Sequence, residues 1–420
     1  TNVQFNLHPP LPNAGGPYVT QASIGSISLA GSVSDWGNDV ATTQWDLDED
    51  GSYDDASVLN PTFTFASAGT YPVHLKAVDS QGGQGNYTSN VFAITLSGHT
   101  GQVYNGSAHP VTVDGIESPF SYNVLYNSSA TPPTNAGTYT VLVQILSGTE
   151  VITTYETSMV IAKATATVSL GNLSHTYDGT VKAASATTTP AGLTVDIIYN
   201  PANPINAGNY AVTATIVDSN YQGSTTGTLV IARATQAITV TTNAPSTAVY
   251  NSTFTVAATA TSGLTVTYTS GSPSVCSVSG TTFTMLSGTG TCLVQYDQAG
   301  NDNFNPATQV TENTTASKVS ASVILSNLNQ TYDGNPKPIT VTTDPEELSV
   351  IVTYDGSSTP PSAAGSYAVV ATVNDNNYEG FASGTLVISG LSHSIDLVAG
   401  WNLVSFNLTL ADTDIADVLA

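Results

Sequence analysis

The chain has 420 residues and a formal net charge of −24, with only six lysine and arginine residues. Nucleic-acid binding is excluded as a function class, because the chain has no cationic surface that could displace counterions from phosphates. Anionic membrane surfaces would repel it for the same reason. It contains no run of about eighteen apolar residues, so the sequence predicts no membrane span.

The composition favours β-structure. Gly, Thr, Ser and Val are abundant, there are 20 Tyr, and apart from the last few residues no segment keeps a helical apolar period. Two cysteines, Cys276 and Cys292, lie in one strand-like segment. They predict a disulfide and therefore an extracellular or cell-surface location, with two free buried thiols as the alternative.

A four-residue phrase of the form Ala-Gly-x-Tyr, here called the corner phrase, recurs along the chain. It occupies residues 68–71, 136–139, 207–210 and 364–367, and an alternating apolar run follows each copy. Alternation predicts a half-buried strand, and the glycine supplies a tight bend before it. A tyrosine at this place resembles the tyrosine corner of a Greek-key sandwich, in which the hydroxyl binds nearby backbone.

The first two segments are an N-terminal strand and a domain. Residues 1–12 hold Val3, Phe5 and Leu7 in alternation and then three prolines, which predicts a lone strand and a stiff linker. Residues 13–96 contain, in order, the runs AGGPY, WDLDEDG, PTFTF and AGTYPVHLKAVD. This order resembles the PKD-type domain, which implies an extracellular β-sandwich.

Three further segments, residues 97–163, 164–233 and 318–389, repeat one another. Each runs from a Tyr-Asn-Gly or Tyr-Asp-Gly phrase to a closing strand, with the corner phrase at a nearly constant distance. A fixed period predicts an array of units that contact mainly their neighbours. The repeats resemble MBG-type domains, which are mostly bacterial immunoglobulin-like domains. In the first copy, His109 stands where Lys182 and Lys337 stand in the others.

Residues 234–317 resemble another bacterial immunoglobulin-like repeat. Here Gly290-Thr291-Cys292 takes the place of Gly-x-Tyr, so we expect the disulfide to replace the corner's anchor. The junctions at 162–165 and 232–235 lack glycine and proline runs, which predicts a stiff, rod-like array. The sequence thus predicts an all-β chain, a linear array of five immunoglobulin-like sandwiches. A short incomplete C-terminal β module, residues 390–420, would follow them.

The acidic loop after Trp45 has the pattern of a hard-cation site. Carboxylates at positions 1, 3, 5 and 9, with glycine at position 6, are typical of loops that surround Ca²⁺ with oxygen ligands. Position 12 is Ser57 rather than Glu, so a helical calcium hand is not expected. A structural Ca²⁺ is one interpretation and a solvated turn is the other. The candidate ligands are Asp46, Asp48, Asp50 and Asp54, with Asp55 as an additional candidate.

Two kinds of modification are suggested by local patterns. Lys182 and Lys337 follow Tyr-Asp-Gly at the same interval, which allows either an isopeptide cross-link to asparagine or an ordinary ion pair with Asp178 or Asp333. N-x-S/T sequons mark possible glycosylation sites, in about the number that chance would give in so Ser/Thr-rich a chain. They begin at Asn86, Asn105, Asn127, Asn172, Asn251, Asn313, Asn329 and Asn407.

Catalysis finds little support, because the six histidines are scattered and neither H-E-x-x-H nor G-x-S-x-G occurs. We expect a non-catalytic subunit of a surface filament, sheath or layer, whose partners are copies of itself joined head to tail by strand addition. The predicted assembly residues are Val3, Phe5, Leu7, Trp401 and Leu403. The alternatives are an adhesin stalk, with surface glycans or other cell-surface proteins as ligands, and a spacer in a secreted hydrolase.

Overall fold

A computed structural model describes residues 8–390 of the chain. Its regular elements in that range are all β-strands, which confirms the predicted fold class. No helix in this range is long and apolar enough to cross a membrane. The predicted strand around Val3, Phe5 and Leu7 and the C-terminal module with Trp401 and Leu403 lie outside the described residues. The chain divides into two compact units, Thr1–Ala232 and Arg233–Ala420, and each is described by itself.

The first domain packs a main sheet against two short ones. In the main sheet β2 and β7 flank β8, β5 lies beyond β7, and the short sheets are β1-β4 and β3-β6. Because Leu11 and Pro12 pair with Ser34 and Val33, the domain extends into the segment predicted as a linker. Its strands are β1 (Leu11–Asn13), β2 (Tyr18–Gln21), β3 (Ser26–Ser28), β4 (Ser32–Ser34), β5 (Val40–Asp46), β6 (Thr62–Thr64), β7 (Gly69–Asp79) and β8 (Gln84–Ser97).

The second domain begins on the same strand that ends the first. The last part of β8 pairs with β10, and Phe92, Ile94 and Leu96 belong to the second domain's core. A four-stranded sheet of order β11-β12-β13-β9 forms the opposite layer. The strands are β9 (Gln102–Val103), β10 (Thr112–Asp114), β11 (Phe120–Tyr126), β12 (Gly137–Ser147) and β13 (Glu150–Ala162).

The third domain completes the first unit after a break of one residue, Lys163. Its four-stranded sheet has the order β16-β21-β19-β18, and β15-β17 and β14-β20 form two small sheets. The strands are β14 (Ala164–Thr165), β15 (Thr167–Gly171), β16 (Ser174–Thr176), β17 (Ser185–Thr189), β18 (Val195–Asn200), β19 (Gly208–Ile216), β20 (Tyr221–Gln222) and β21 (Ser224–Ala232).

The fourth domain opens the second unit. Its sheets have the orders β23-β30-β29-β26, β24-β28-β27 and β22-β25. The strands are β22 (Ile238–Thr242), β23 (Thr247–Val249), β24 (Thr253–Thr255), β25 (Ala257–Ala260), β26 (Thr267–Ser270), β27 (Cys276–Ser279), β28 (Thr282–Met285), β29 (Thr291–Asp297) and β30 (Val310–Ser317).

The fifth domain repeats the plan of the third. Its four-stranded sheet has the order β33-β38-β36-β35, with β32-β34 and β31-β37 as small sheets. The strands are β31 (Val319–Ser320), β32 (Ser322–Ser326), β33 (Asn329–Thr331), β34 (Thr340–Asp344), β35 (Val350–Tyr354), β36 (Gly365–Val373), β37 (Tyr378–Glu379) and β38 (Phe381–Ser389).

All five domains pair an early strand in parallel with their last strand. These parallel pairs are β2-β8, β9-β13, β16-β21, β23-β30 and β33-β38. In each four-stranded sheet the penultimate long strand lies at the centre and bonds antiparallel to the closing strand. The alternation of apolar residues along that central strand therefore decides which side chains enter the core.

The corner phrase forms the predicted tyrosine corner in all four copies. The hydroxyls of Tyr71, Tyr139, Tyr210 and Tyr367 each donate to the carbonyl four residues earlier, at 3.1, 2.9, 2.9 and 3.0 Å. Only the Tyr210 ring is fully buried, and the other three are half-buried.

A second set of tyrosines, which the sequence analysis did not identify, ties the two layers together. The hydroxyl of Tyr126 accepts the backbone N–H of Val111 at 2.6 Å, and the tyrosines at 199, 268 and 354 accept N–H groups in the same way. The backbone N–H groups that they accept belong to Ala184, Ala258 and Ile339, respectively.

The fourth domain contains the predicted disulfide. Cys276 and Cys292 are joined, with a Cα–Cα distance of 5.5 Å, and both are fully buried among Phe283, Met285 and Tyr296. Cys292 is the second residue of β29, so the cross-link holds the start of the central strand against the opposite sheet. The prediction of two paired cysteines is confirmed.

Removal of this cross-link with Cys276→Ala/Cys292→Ala should destabilise the fourth domain. The cysteines are 16 residues apart, for which the chain-entropy model gives about 3 kcal/mol, and the smaller side chains add a packing loss. Hydrogen exchange of the Val294 amide at neutral pH measures the loss. The Val212 amide, in the third domain, is the internal control and should exchange as before. Unchanged exchange at Val294 would contradict a stabilising role for the disulfide.

Candidate functional site

The acidic loop of the first domain starts where β5 ends, at Asp46, and is closed by two contacts of Trp45. The Trp45 side chain is fully buried, and its Nε1–H donates to the carbonyl of Val58 at 2.9 Å. Its backbone pairs with Ala56, where the N–H of Trp45 donates to the Ala56 carbonyl at 2.8 Å. The loop between Asp46 and Ala56 is therefore held at both ends by the core.

Asp46 organises the interior of this loop. It is only 3% exposed, and its two oxygens accept the backbone N–H groups of Glu49 at 2.8 Å and Gly51 at 3.2 Å. Glu49 and Gly51 both have positive φ, 65° and 85°, so the chain curls around the carboxylate. Glycine at position 51 is explained by this left-handed backbone, which other residues rarely adopt.

Three carboxylates converge at the loop. Asp46, Asp48 and Asp50 each offer an oxygen, and these oxygens lie within 4.8 Å of one another. Desolvation raises the pKa of Asp48 even though the residue is exposed, and the charges of Asp50, Asp55 and Asp46 raise it further. Oxygen donors gathered in this way are the ligands that a hard divalent cation prefers, so the residues fit such an ion.

The other two candidate ligands have different positions. Asp54 is exposed and does not belong to the converging group. Asp55 accepts the backbone N–H groups of Leu47 at 2.5 Å and Asp48 at 3.2 Å. The Asp55 carboxylate therefore stabilises the loop by accepting two of the loop's backbone N–H groups. The spacing of the acids along the sequence could not indicate this role.

Three further partly or fully buried carboxylates in the first domain were missed by the sequence analysis. Asp79 is 3% exposed; its Oδ1 accepts the N–H groups of Gln81 and Gly83, while its Oδ2 is buried without a hydrogen-bond partner. One buried oxygen of Asp35 and one of Asp39 also lack a partner. Ser80 donates to the other oxygen of Asp39 and lowers the pKa of that carboxyl. The sequence signal was the pair of acids that brackets an exposed Trp-Gly-Asn turn.

Lys182 and Lys337 form ion pairs in the third and fifth domains. Lys182 donates to Asp178, and Lys337 lies 2.6 Å from Asp333. Both lysine side chains are largely buried, at 12% and 13% exposure, while the carboxylates are half exposed. The hydrogen bond from the lysine lowers the pKa of each aspartate. These contacts correspond to the ion-pair interpretation of the repeated lysine.

The sequon asparagines within the described range all lie on the surface. Asn172 is exposed, although its amide donates to the Ala183 carbonyl at 2.8 Å. Asn407 lies outside the described residues. The other exposed members are Asn86, Asn105, Asn127, Asn251, Asn313 and Asn329.

Comparison with known families identifies two kinds of domain. The family described as MBG domain matches residues 93–165, 166–235 and 321–392, which together make up slightly more than half of the chain. The family described as PKD domain matches residues 7–95. These matches confirm the resemblances to PKD-type and MBG-type domains. No curated protein sequence is significantly similar to the chain.

Several solved structures of tandem domains are similar to the chain. Immunoglobulin domains 1–5 of Sidekick-1 are 12% identical, with 92% of this chain and 99% of that chain covered and a TM-score of 0.24. The extracellular domain of protocadherin GammaB4 is 13% identical, with 90% and 84% covered and a TM-score of 0.22. Domains 1–6 of the surface layer protein SbsC are 13% identical, with 93% and 68% covered and a TM-score of 0.18.

The ion pair in the fifth domain should give a pH-dependent stability. The folded-state pKa of Asp333 lies below its ordinary value, so the stabilisation is present above about pH 4 and is lost as the pH falls below it. Asp333→Asn should therefore lower the unfolding temperature of its domain at pH 7 and lower it by less near pH 2. Calorimetry of the full chain at both pH values measures this, with Asp196→Asn, at an exposed position, as the control. An equal effect of Asp333→Asn at both pH values would contradict the assignment.

Proposed function

Because the chain belongs to the MBG-domain family and carries a PKD domain before its three MBG repeats, we propose that it is a non-catalytic extracellular structural protein. We propose further that it is a subunit of a cell-surface filament, sheath or layer. The observation that carries this proposal is the direct connection of neighbouring domains. Strand β8 contributes to the cores of both the first and the second domain, and only Lys163 separates β13 from β14.

Directly connected domains suit a protein that bears mechanical load or holds its two ends at a set distance. A flexible linker would let neighbouring domains reorient, whereas a strand shared by two domains resists bending through two sets of hydrogen bonds. The repeated corners and the disulfide hold the starts of the central strands, so each domain is closed by its own contacts. Within the described residues, these contacts are those of a structural scaffold.

The proposed assembly joins copies of the chain head to tail by strand addition. The alternating Val3, Phe5 and Leu7 would supply a strand to a neighbouring copy, and the segment with Trp401 and Leu403 is the proposed acceptor. A contact between two different surfaces does not close on itself, so it generates a filament. The alternation matters because it would place the three apolar side chains on one face of the added strand.

The assembly is tested by changing one face of this segment at a time. Val3→Ser/Phe5→Ser/Leu7→Ser should abolish polymers of the full chain in sedimentation and negative-stain microscopy. The matched control, Asn2→Ser/Gln4→Ser/Asn6→Ser, changes the opposite face and should assemble normally. Normal polymers from the apolar variant would contradict strand addition. An unmodified chain that stays monomeric at high concentration would contradict the filament and favour a stalk or spacer.

We also propose that the acidic loop of the first domain binds Ca²⁺ as a structural ion. Asp46, Asp48 and Asp50 would hold it, and the ion would compensate the desolvation and the smaller carboxylate repulsion that raise the pKa of Asp48. An ion at this position would stabilise the loop conformation that Asp46 already sets through its contacts to Glu49 and Gly51. Because the ligands must be ionised, affinity should fall as the pH is lowered through the raised pKa of Asp48.

A Ca²⁺ titration followed at the amide resonances of Glu49 and Gly51 tests this site locally. Asp48→Asn and Asp50→Asn should each weaken binding about tenfold or more, since affinity depends on ligand charge. Asp54→Asn removes an equal charge from the same loop outside the converging group, so it should bind nearly as the unmodified chain does. Absence of any Ca²⁺-dependent shift at these two amides, or equal losses in all three variants, would contradict the proposed site.

A further inference from the structure

The junction between the second and third domains is made by a short loop of the third domain. After the one-residue break at Lys163, the N–H of Ala164 donates to the carbonyl of Asn220 at 2.8 Å. The ammonium group of Lys163 donates to the carbonyl of Asp218 at 2.6 Å. Two backbone carbonyls of one loop thus accept hydrogen bonds from Lys163, which links the domains, and from the residue after it.

The side chain of Asn220 extends this contact to the corner phrase of the second domain. Its Oδ1 accepts the backbone N–H of Ala136 at 2.9 Å, and its Nδ2 donates to Oδ1 of Asn135 at 3.2 Å. The next residue, Tyr221, places its ring edge-to-face on Tyr104, with centroids 5.2 Å apart. Tyr104 directly follows the first strand of the second domain, so the loop contacts three parts of the same end of that domain.

The junction between the fourth and fifth domains repeats these contacts. The N–H of Val319 donates to the carbonyl of Asn377 at 2.9 Å, and the ammonium group of Lys318 donates to that of Asp375 at 2.5 Å. Oδ1 of Asn377 accepts the N–H of Gly288 at 2.9 Å. The ring of Tyr378 lies edge-to-face on that of Tyr250, with centroids 5.6 Å apart.

Gly288 shows how closely this loop approaches the preceding domain. A Cβ added at Gly288 would lie 2.7 Å from the carbonyl oxygen of Asn376 and 2.8 Å from Cα of Asn377. Both atoms belong to the loop backbone, so neither could move without shifting the loop. Glycine at this position is therefore explained by the docked loop.

The loop is also held in shape by its own hydrogen bonds. Oδ1 of Asp375 accepts the N–H groups of Asn377 and Tyr378 at 2.7 and 3.0 Å, and Asp218 does the same for Asn220 and Tyr221. Such an Asx turn fixes the loop locally, which lowers the conformational entropy lost on docking.

A third copy of the loop lies at the start of the second unit. There the N–H of Ala234 donates to the carbonyl of Asn303 at 2.9 Å, and Nε of Arg233 donates to that of Asp302 at 3.1 Å. Asn301 supplies the Asx turn, because its Oδ1 accepts the N–H groups of Asn303 and Phe304. The common sequence of the three loops is Asx-x-Asn-aromatic.

The second domain lacks such a loop. Its strands β12 and β13 are joined by a tight hairpin between Ser147 and Glu150. It adjoins the PKD domain in another way: Phe120 packs edge-to-face on Phe92 of the shared strand β8, and the Thr70 hydroxyl donates to the Gly115 carbonyl at 3.2 Å. The loop thus occurs in the three domains whose first residue after the preceding closing strand is basic, namely Lys163, Arg233 or Lys318.

We infer that the Asx-x-Asn-aromatic loop is a recognition element for the end of a preceding immunoglobulin-like domain. The domain it fits presents a tyrosine just after its first parallel strand, a backbone N–H at or near the corner, and a basic residue just after its last strand. The asparagine determines specificity. Its side chain accepts a backbone N–H of the preceding domain, and its own backbone carbonyl accepts the N–H of the residue that follows the basic residue. This inference does not depend on whether the chain forms filaments.

Residue-resolved hydrogen exchange of the full chain tests the role of Asn377. Asn377→Ala removes the acceptor of the Gly288 N–H, so the Gly288 amide should exchange about fivefold faster or more. Asn376→Ala is the matched control, because it changes the same residue type at the adjacent, exposed position and should leave Gly288 unchanged. Asn377→Asp keeps an oxygen acceptor and should retain most of the protection.

Two results would overturn the inference. The first is unchanged exchange of Gly288 in Asn377→Ala. The second is an equal acceleration at Val369 and Ala371, which are buried in the fifth domain, because Asn377 would then only support the fold of its own domain. Acceleration confined to the amides of Gly288 and Val319 supports the inference.

Discussion

The hydrogen bond from the corner tyrosine to the carbonyl four residues earlier constrains both the core of its own domain and the contacts made with the next domain. It fixes the bend that precedes the central strand, and that strand carries the core residues of the four-stranded sheet. In the second domain it holds the carbonyl of Asn135, beside the Ala136 N–H that Asn220 contacts. The same corner therefore closes one domain and presents the docking groups for the next. In the fourth domain the disulfide takes this place, and Gly288 lies just before it.

The few basic residues show where the chain uses positive charge. Three of the six stand at or beside domain junctions, two pair with aspartates in the repeats, and one lies over a tyrosine ring. They are Lys163, Arg233, Lys318, Lys182, Lys337 and Lys76. Almost all of the negative charge is thus left without a basic partner, which raises the attraction of the chain for divalent cations. Positive charge here serves internal contacts.

The features that could be predicted from the sequence are those that depend on local sequence patterns. The all-β fold, the corner tyrosines, the paired cysteines and the family resemblances each depend on residues a few positions apart or on a fixed repeat. Other features depend on partners that no local pattern identifies. Asn220 contacts Ala136 across 84 residues, and Asp55 acts through backbone N–H groups rather than as part of the converging carboxylates. For the same reason, no local pattern indicates that three carboxylate oxygens of the PKD domain are buried without hydrogen-bond partners.

The absence of a docked loop from the first MBG repeat has a physical explanation in its junction. Strand β8 runs without interruption from the PKD domain into this repeat, so strand hydrogen bonds on both sides limit bending at that point. Where the strand breaks after one domain, as at Lys163 and Lys318, a single residue would act as a hinge. At these breaks the next domain adds a loop that bonds the basic residue, the following N–H and the corner region together. A continuous strand and a docked loop thus both limit bending at a domain junction. A domain that is joined by a continuous strand does not need a docked loop.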